Sequence, residues 1–167
     1  GISINGTGKT SCIYTDIANW AGNISNCNIY NGITYGIDFS TNNRVINNPT
    51  ISKNKIYSNG VRGIFFDQST GNSTFTITKN IFYSNLSAIQ GYANARTVSG
   101  DMSGNIFYSN SIAIQIALSA SANSIFAMNI ENNTIVKNTA HGINFTANAG
   151  SSVTGAIRDN IVYYNTT

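Results

Sequence analysis

The sequence contains few charged residues, and this scarcity excludes several classes of protein. Charged side chains make up 9% of its 167 residues, against about 25% in ordinary soluble domains, so a disordered chain kept open by charge is excluded. The nine Lys and Arg residues are scattered and the net charge is only +3, which argues against a nucleic-acid partner. No apolar run approaches the roughly 20 residues of a membrane span.

Cysteine is also scarce, which limits both disulfide and metal chemistry. Cys12 and Cys27 are the two cysteines of the chain, too few for a disulfide scaffold and without the spacing of a metal site. They could form one disulfide or remain two buried thiols, and the sequence leaves both alternatives open because it carries no geometry. No cofactor or metal is expected.

Neutral polar and β-branched residues take the place of charge. Asn occurs 27 times, Ser and Thr together 36 times, and Ile 25 times, whereas Leu occurs twice. Because β-branched side chains fit a pleated surface better than a helix, this composition predicts strands.

One nine-residue template recurs along the chain. Its copies are ISKNKIYSN (51–59), ITKNIFYSN (77–85), MSGNIFYSN (102–110), IENNTIVKN (130–138) and IRDNIVYYN (157–165), with a degenerate copy at 24–32. Each copy has Asn at its fourth and ninth positions. Asn tolerates the left-handed backbone conformation, and its amide can bond to the amide of the next coil, so two Asn ladders are predicted. Their members are Asn54, Asn80, Asn105, Asn133 and Asn160, and Asn59, Asn85, Asn110, Asn138 and Asn165.

A small residue followed by Ile forms a second motif between the copies, as in Gly36-Ile37, and Gly1-Ile2 fits the same position. A period of roughly 27 residues with three short strands predicts an all-β solenoid of about six coils. We predict one domain over 1–167, with regular coils over 24–167 and an insertion within 6–23 of the first coil. The predicted inward columns are Ile24, Ile51, Ile77, Met102, Ile130 and Ile157; Ile29, Ile56, Phe82, Phe107, Ile135 and Val162; and Ile2, Ile37, Ile64, Ile89, Ile114 and Ile143.

These repeated I-x-x-N-x-I-x-x-N and Gly-Ile elements resemble those of right-handed parallel β-helix proteins with the pectate-lyase-like fold. The resemblance implies the fold but no single activity, because lyases, hydrolases, adhesins and tailspikes share this architecture. Its best-known enzymes use clustered carboxylates. Here the acids are dispersed: Asp38 aligns with Phe65, and Asp67 aligns with Ser40. We therefore expect no catalytic residue and no enzymatic activity.

A column of tyrosines follows one of the inward columns and should face outward by strand alternation. Its members are Tyr30, Tyr57, Tyr83, Tyr108 and Tyr163. The column could stack across coils and stiffen the sheet, or it could contact glycans or lateral filament neighbours, and these interpretations are compatible. Among the N-x-S/T sequons, Asn72 and Asn144 are the better candidates for glycosylation because they lie outside the predicted ladders.

The two ends of the sequence suggest a joint between copies. Written one after the other, they read IRDNIVYYN-TT-GISING, which keeps the spacing from the ladder Asn to Ile that is seen from Asn85 to Ile89. The predicted joint comprises Gly1, Ile2, Ile4, Ile157, Ile161, Asn165, Thr166 and Thr167. Such a contact does not close on itself, so it would make a filament.

The sequence therefore favours a non-enzymatic structural protein, extracellular or at the cell surface. Its copies would stack head to tail, with the C-terminal coil completed by the N-terminal strand of the next copy. Low charge suits this hypothesis because little repulsion opposes assembly. The alternative is a carbohydrate-active or carbohydrate-binding β-helix, a fragment of a polysaccharide lyase, adhesin or tailspike.

Overall fold

Stacked parallel strands are the regular secondary structure of the described chain. The computed structural model describes residues 1–15, 19–40, 45–68, 71–118 and 123–166, and these residues form twenty β-strands and no helix. Successive coils lie about 27 residues apart and form a β-solenoid of about five turns. The predicted all-β solenoid with a period of roughly 27 residues is therefore confirmed, with about five turns where about six coils were predicted.

The strands fall into three parallel sheets, which alternate along the chain. The first sheet contains β1 (Ser3–Asn5), β4 (Asn28–Tyr30), β7 (Lys55–Tyr57), β10 (Ile81–Tyr83), β13 (Ile106–Tyr108), β16 (Thr134–Val136) and β20 (Ile161–Tyr163). The second sheet contains β2 (Ser11–Tyr14), β5 (Tyr35–Ser40), β8 (Arg62–Gln68), β11 (Ser87–Ala93), β14 (Ile112–Leu118) and β17 (Ile143–Ala147). The third sheet contains β3 (Asn23–Ser25), β6 (Asn47–Ser52), β9 (Ser73–Thr78), β12 (Thr97–Ser103), β15 (Ile125–Glu131), β18 (Ser152–Val153) and β19 (Ile157–Arg158).

The core runs along the solenoid axis as columns of like residues. Ile51 pairs with Ile77 in the third sheet, and Phe82 pairs with Phe107 in the first sheet; all four are fully buried. These pairings confirm the first two predicted columns. Each fully buried Ile or Phe contributes about 1.5–3 kcal/mol through the apolar surface it removes from water.

The third predicted column is wrong at its first member. Ile13, not Ile2, pairs with Ile37 in the second sheet. Cys12 therefore occupies the small-residue position of the motif, and Gly1-Ile2 lies beside β4 in the first sheet, where the Ile2 carbonyl accepts a hydrogen bond from the Asn28 N–H. Because Ile4 pairs with Ile29, 25 positions away, the first coil has an ordinary length. The predicted insertion within 6–23 is absent from its described residues.

Two continuous ladders of Asn side chains confirm the predicted hydrogen-bond pattern. The Asn80 Oδ1 accepts from the Asn54 backbone N–H and side-chain amide, both at 3.0 Å. The Asn80 Nδ2 in turn donates to Asn105 Oδ1 at 3.0 Å and to the Ile51 carbonyl at 2.8 Å. The second ladder repeats this arrangement, as between Asn85 and Asn110. Both ladders run in one direction: the Oδ1 of each Asn accepts hydrogen bonds from the Asn of the coil that precedes it in the chain.

The left-handed backbone lies one position earlier than the sequence suggests. The ladder asparagines do not adopt positive φ, whereas the residue before each of them does. These bend residues are Asn26, Lys53, Lys79, Gly104, Asn132 and Asp159 before the first ladder column, and Asn31, Ser58, Ser84, Ser109, Lys137 and Tyr164 before the second. The prediction that the ladder asparagines themselves take this conformation is therefore wrong. A bend at the preceding residue turns the Asn side chain into the core.

Candidate functional site

The outward face of the second sheet gathers charged, amide and aromatic side chains from four successive coils. In β5, β8, β11 and β14 the inward positions are occupied by the Ile column, and alternation turns the residue after each of these Ile outward. Tyr35 and Arg62 join this face through their contacts with Phe65. The pairing aligns Asp38 with Phe65 and Ser40 with Asp67, as the sequence alignment predicts. This second-sheet face comprises Tyr35, Asp38, Ser40, Arg62, Phe65, Asp67, Gln90, Tyr92 and Gln115.

Arg62 lies at the centre of the second-sheet face and is held on several sides. Its guanidinium carbon is 4.3 Å from the centroid of the Phe65 ring and 5.3 Å from that of Tyr35. The guanidinium also donates to the Tyr35 hydroxyl at 3.2 Å and to the Gln90 side-chain oxygen. Each cation–π contact of this kind contributes about 0.5–1 kcal/mol. The positive charge is therefore already engaged within the protein.

Glutamine and tyrosine side chains extend this network to the next two coils. The Gln90 Nε2 donates to the Tyr92 hydroxyl at 3.0 Å and to Gln115 Oε1 at 2.9 Å. The Ser87 hydroxyl donates to the same Gln115 oxygen at 3.1 Å. No described residue accepts a hydrogen bond from the Gln115 Nε2. The network thus leaves a donor available where Gln115 is partly exposed.

The two carboxylates of the second-sheet face differ in their surroundings. Asp38 is 5% exposed; its Oδ1 accepts from the Ser40 hydroxyl at 2.5 Å and the Ser40 N–H at 2.8 Å, and its Oδ2 accepts from the Ser11 hydroxyl at 3.3 Å. Asp67 is half-buried, and no described residue donates a hydrogen bond to it. Burial raises the pKa of Asp67, and the nearby charge of Arg62 opposes this rise. Asp67 is therefore the carboxyl group with unused hydrogen-bonding capacity.

The predicted tyrosine column forms a ring stack on the outside of the first sheet. Ring centroids of Tyr30, Tyr57, Tyr83 and Tyr108 follow one another at 5.0, 4.6 and 5.1 Å, with planes within 9° of parallel. Val136 interrupts the column before Tyr163, as the sequence shows. Burial, and secondarily the neighbouring phenols, raises the pKa of Tyr83. Because each ring face covers the next, the column offers edges and hydroxyls to solvent, which matches the stacking interpretation.

The predicted joint residues lie at the two ends of the described coils. Ile157, Ile161 and Val162 are 50%, 62% and 52% exposed at one end, where the inward columns are uncovered. Asn165 is the last member of its ladder and accepts from Asn138, and the Thr166 N–H donates to the Asn138 carbonyl. Thr167 lies outside the described residues. At the other end Gly1 and Ile2 adjoin the first sheet, so the predicted register of the joint is wrong.

The remaining predicted sites are not members of the second-sheet face, although Asn144 adjoins it through Gln115. Cys12 and Cys27 are free thiols; Cys12 lies in the small-residue column of the second sheet, where burial raises the pKa of its thiol, and Cys27 fills an Asn position in the first ladder. The alternative of a disulfide is therefore wrong. Asn72 is exposed and accepts a hydrogen bond from the Thr97 N–H. Asn144 is half-buried in β17, aligned with Gln115.

The described residues contain neither a cluster of metal ligands nor a helix that could cross a membrane. No group of three or more His, Cys, Asp or Glu side chains in the described ranges is arranged to hold a metal ion. Nor does any helix long and apolar enough to cross a membrane occur in the part of the chain that the structure describes. Comparisons with known protein families, with curated proteins and with solved structures find no match for this chain.

Sequence reasoning missed the second-sheet face as a cluster. Its inward neighbours repeat as Ile, whereas its outward residues change from coil to coil: Asp38, Phe65, Gln90 and Gln115 occupy one column. Self-similarity therefore does not reveal it. The signal that could have found it is the concentration of polar and aromatic residues directly after the Gly-Ile motif.

Proposed function

We propose that this protein is a non-enzymatic structural solenoid, extracellular or at the cell surface, with the right-handed coil of the pectate-lyase-like fold. The observation that carries the proposal is the contact between like side chains of neighbouring coils. Tyr rings stack on Tyr rings, and Asn amides form hydrogen bonds with Asn amides. The Asn ladders and the Tyr stack run along the axis without a break over several coils. The right-handed sense is supported by the strong preference of parallel crossover connections for that hand.

We further propose that copies associate end to end. The uncovered end carries Ile157 and Val162 from the inward columns, and an open cavity of about 380 Å³ lies between Ile143 and Val162. Another coil of the same kind would cover these groups, whether it came from the same polypeptide or from a second copy. In a second copy, β1 would supply the edge of the first sheet with which β20 can pair.

The register of this association differs from the one read from the sequence. β20 of one copy would pair with β1 of the next, so that Val162 covers Ile4. The first sheet contains seven layers, whereas the second and third sheets contain six each, since β18 and β19 both pair with β15. At the joint both the second and the third sheet would therefore lack one strand. We therefore expect the joint to be weaker than an internal coil contact.

Light scattering coupled to size exclusion, with electron microscopy of the same samples, tests the assembly. The full chain should increase in mass with concentration and form rods. Val162→Asp should remain monomeric because the joint would bury an unpaired charge, and its side chain is exposed enough in one copy for the variant to fold. Ile106→Asp is the matched control on the side of the rod, where the side chain is 40% exposed.

Three outcomes would contradict end-to-end association. If the wild-type chain stays monomeric at high concentration, end-to-end association is wrong. Assembly by Val162→Asp would show that this end is not the contact. Loss of assembly in Ile106→Asp alone would instead indicate lateral association through the face that carries the tyrosine column.

A further inference from the structure

We propose that Asn5 is a site of spontaneous chemical modification, at which the side-chain amide converts to Asp or isoaspartate. The chain contains three Asn-Gly pairs, at Asn5-Gly6, Asn31-Gly32 and Asn59-Gly60. Glycine has no side chain to hinder its own backbone nitrogen, so the dipeptide alone ranks the three pairs equally. The fold separates them, through the exposure of each Asn side chain and the contacts that hold each Gly nitrogen.

The conversion consumes water and releases ammonia. The deprotonated Gly nitrogen attacks the Cγ of the preceding Asn, the bond from Cγ to Nδ2 breaks, and Nδ2 leaves as ammonia. Water then opens one of the two carbonyls of the resulting five-membered imide, which gives Asp or isoaspartate. The reaction therefore requires that the Gly N–H leave its hydrogen bond and that the Asn amide be free to fold back over the next peptide.

The Asn59 amide does not have this freedom. Asn59 is 2% exposed. Its Nδ2 donates to Asn85 Oδ1 at 3.1 Å, and its Oδ1 accepts from the Gly32 N–H at 3.0 Å. Turning this amide toward Gly60 would break the second ladder inside the core, where an unpaired polar group is costly.

The Asn5 amide is exposed and already lies over the following peptide. Asn5 is at the end of β1, and its side chain faces solvent. Its Oδ1 accepts hydrogen bonds from the Thr7 N–H at 3.1 Å and from the Thr7 hydroxyl at 2.8 Å. This Asx turn spans the Gly6 peptide, and two donors on the oxygen draw electron density away from Cγ. Both effects favour attack by the Gly6 nitrogen.

The cost of releasing the Gly nitrogen also favours the first pair. The Gly6 N–H donates to the Tyr30 carbonyl at 2.8 Å, so β1 must open before the reaction can occur. In the described chain β1 has three residues and pairs with β4 alone, and local opening is easiest at such an edge.

The Gly32 peptide is held more firmly than the Gly6 peptide. Its N–H donates to Asn59 Oδ1, and its carbonyl accepts from the Gly60 N–H at 2.9 Å. Releasing Gly32 would therefore break the contact between two inner coils as well as the end of the second ladder. Asn31 is exposed, but we expect its conversion to be slow for this reason.

The product would alter the first coil. Isoaspartate inserts one methylene group into the main chain of β1, so Ile4 could not keep its pairing with Ile29 while Gly6 kept its bond to Tyr30. Either product also adds one carboxylate, which lowers the net charge from +3 to +2. We expect modified chains to separate from unmodified chains by ion exchange and to lose hydrogen-exchange protection in β1.

Peptide mapping by mass spectrometry of the full chain, incubated at pH 9 and sampled over time, tests the proposal. In the folded chain we expect Asn5 to convert at least about tenfold faster than Asn31 and Asn59. The same chain in guanidinium is the matched control, because all three pairs then lack the contacts of the fold. There the three rates should lie within about threefold of one another. Asn5→Gln should abolish the fast conversion, since Gln would have to form a six-membered ring.

Three results would overturn the inference. It is wrong if Asn5 converts no faster than Asn31 or Asn59 in a chain that circular dichroism shows to be folded. It is also wrong if Asn5 keeps the same advantage in guanidinium, because the local sequence would then set the order. Finally, isoaspartate formation that is unchanged in Asn5→Gln would place the site elsewhere. Dilute samples keep these rates independent of end-to-end association, which light scattering measures separately.

Discussion

Replacing one ladder residue, Asn80→Ala, should lower the free energy of unfolding by much more than the loss of a single hydrogen bond would. Asn80 is fully buried, and its amide takes part in four hydrogen bonds, with Asn54, Ile51 and Asn105. At about 1 kcal/mol for each lost bond, the loss is about 4 kcal/mol. The Asn54 backbone N–H would also be left without its acceptor inside the core. Since domains are stable by only about 5–15 kcal/mol, this is a large fraction of the total.

Urea denaturation followed by circular dichroism measures this loss, and amide hydrogen exchange locates it. Asn72→Ala is the matched control, because Asn72 is exposed and accepts one hydrogen bond, from the Thr97 N–H. We expect the control to lose at most about 1 kcal/mol. Exchange should accelerate most in the coils on either side of Asn80, since neighbouring coils carry the stability of a solenoid. Similar losses in the two variants would refute the view that the ladder stabilises the core.

A second substitution at the same position tests whether the Asn80 side chain is a buried donor between two acceptors. Asn80→Asp keeps the oxygen that accepts from Asn54 but turns a second oxygen toward the Ile51 carbonyl and Asn105 Oδ1. It should therefore be less stable than Asn80→Ala at neutral pH, because a charge is buried without a cation. Burial raises the pKa of such a carboxyl, so its stability should recover as the pH falls through that raised value. A variant that is equally stable at pH 7 and pH 3, after correction for the wild type, would contradict the burial of this side chain between two acceptors.

Three further predictions follow from close contacts and from the candidate site. A Cβ on Gly91 would lie 1.9 Å from the Phe66 ring, so Gly91→Ala should lose about 1–3 kcal/mol in denaturation, and adding Phe66→Leu should restore part of it. Cys27→Asn should extend the first ladder by one donor toward Asn54 Oδ1 and raise stability by about 1 kcal/mol, seen as a higher melting temperature. Burial raises the pKa of Asp67 above its unfolded value, so its contribution to stability is most favourable below the unfolded pKa and is lost as the pH rises through the folded pKa. Asp67→Asn should therefore gain stability relative to the wild type between pH 3 and pH 7; an unchanged difference would contradict this.

The periodic part of the fold could be predicted because inward residues repeat. Ile, Phe and Asn recur in the same columns, since only a few side chains fit a core shared by stacked coils. The start of the third inward column was predicted wrongly because Gly1-Ile2 and Cys12-Ile13 both fit the motif of a small residue followed by Ile. The interval of 24 residues from Ile13 to Ile37 is close to the later intervals and is the spacing that distinguishes them. The second-sheet face could not be predicted in this way, because its outward residues face solvent and do not repeat.

The bends and the ladders depend on each other, which explains why the chain tolerates so much left-handed backbone. A residue other than Gly in this conformation costs about 1–2 kcal/mol, and each regular coil contains two bend residues, such as Lys79 and Ser84. Each bend brings the next residue, Asn80 or Asn85, into line with the neighbouring coil. The hydrogen bonds of the ladder offset the cost of the bend only when that coil is present. The ladder therefore makes the stability of one coil conditional on its neighbour, and coils near an uncovered end should open first.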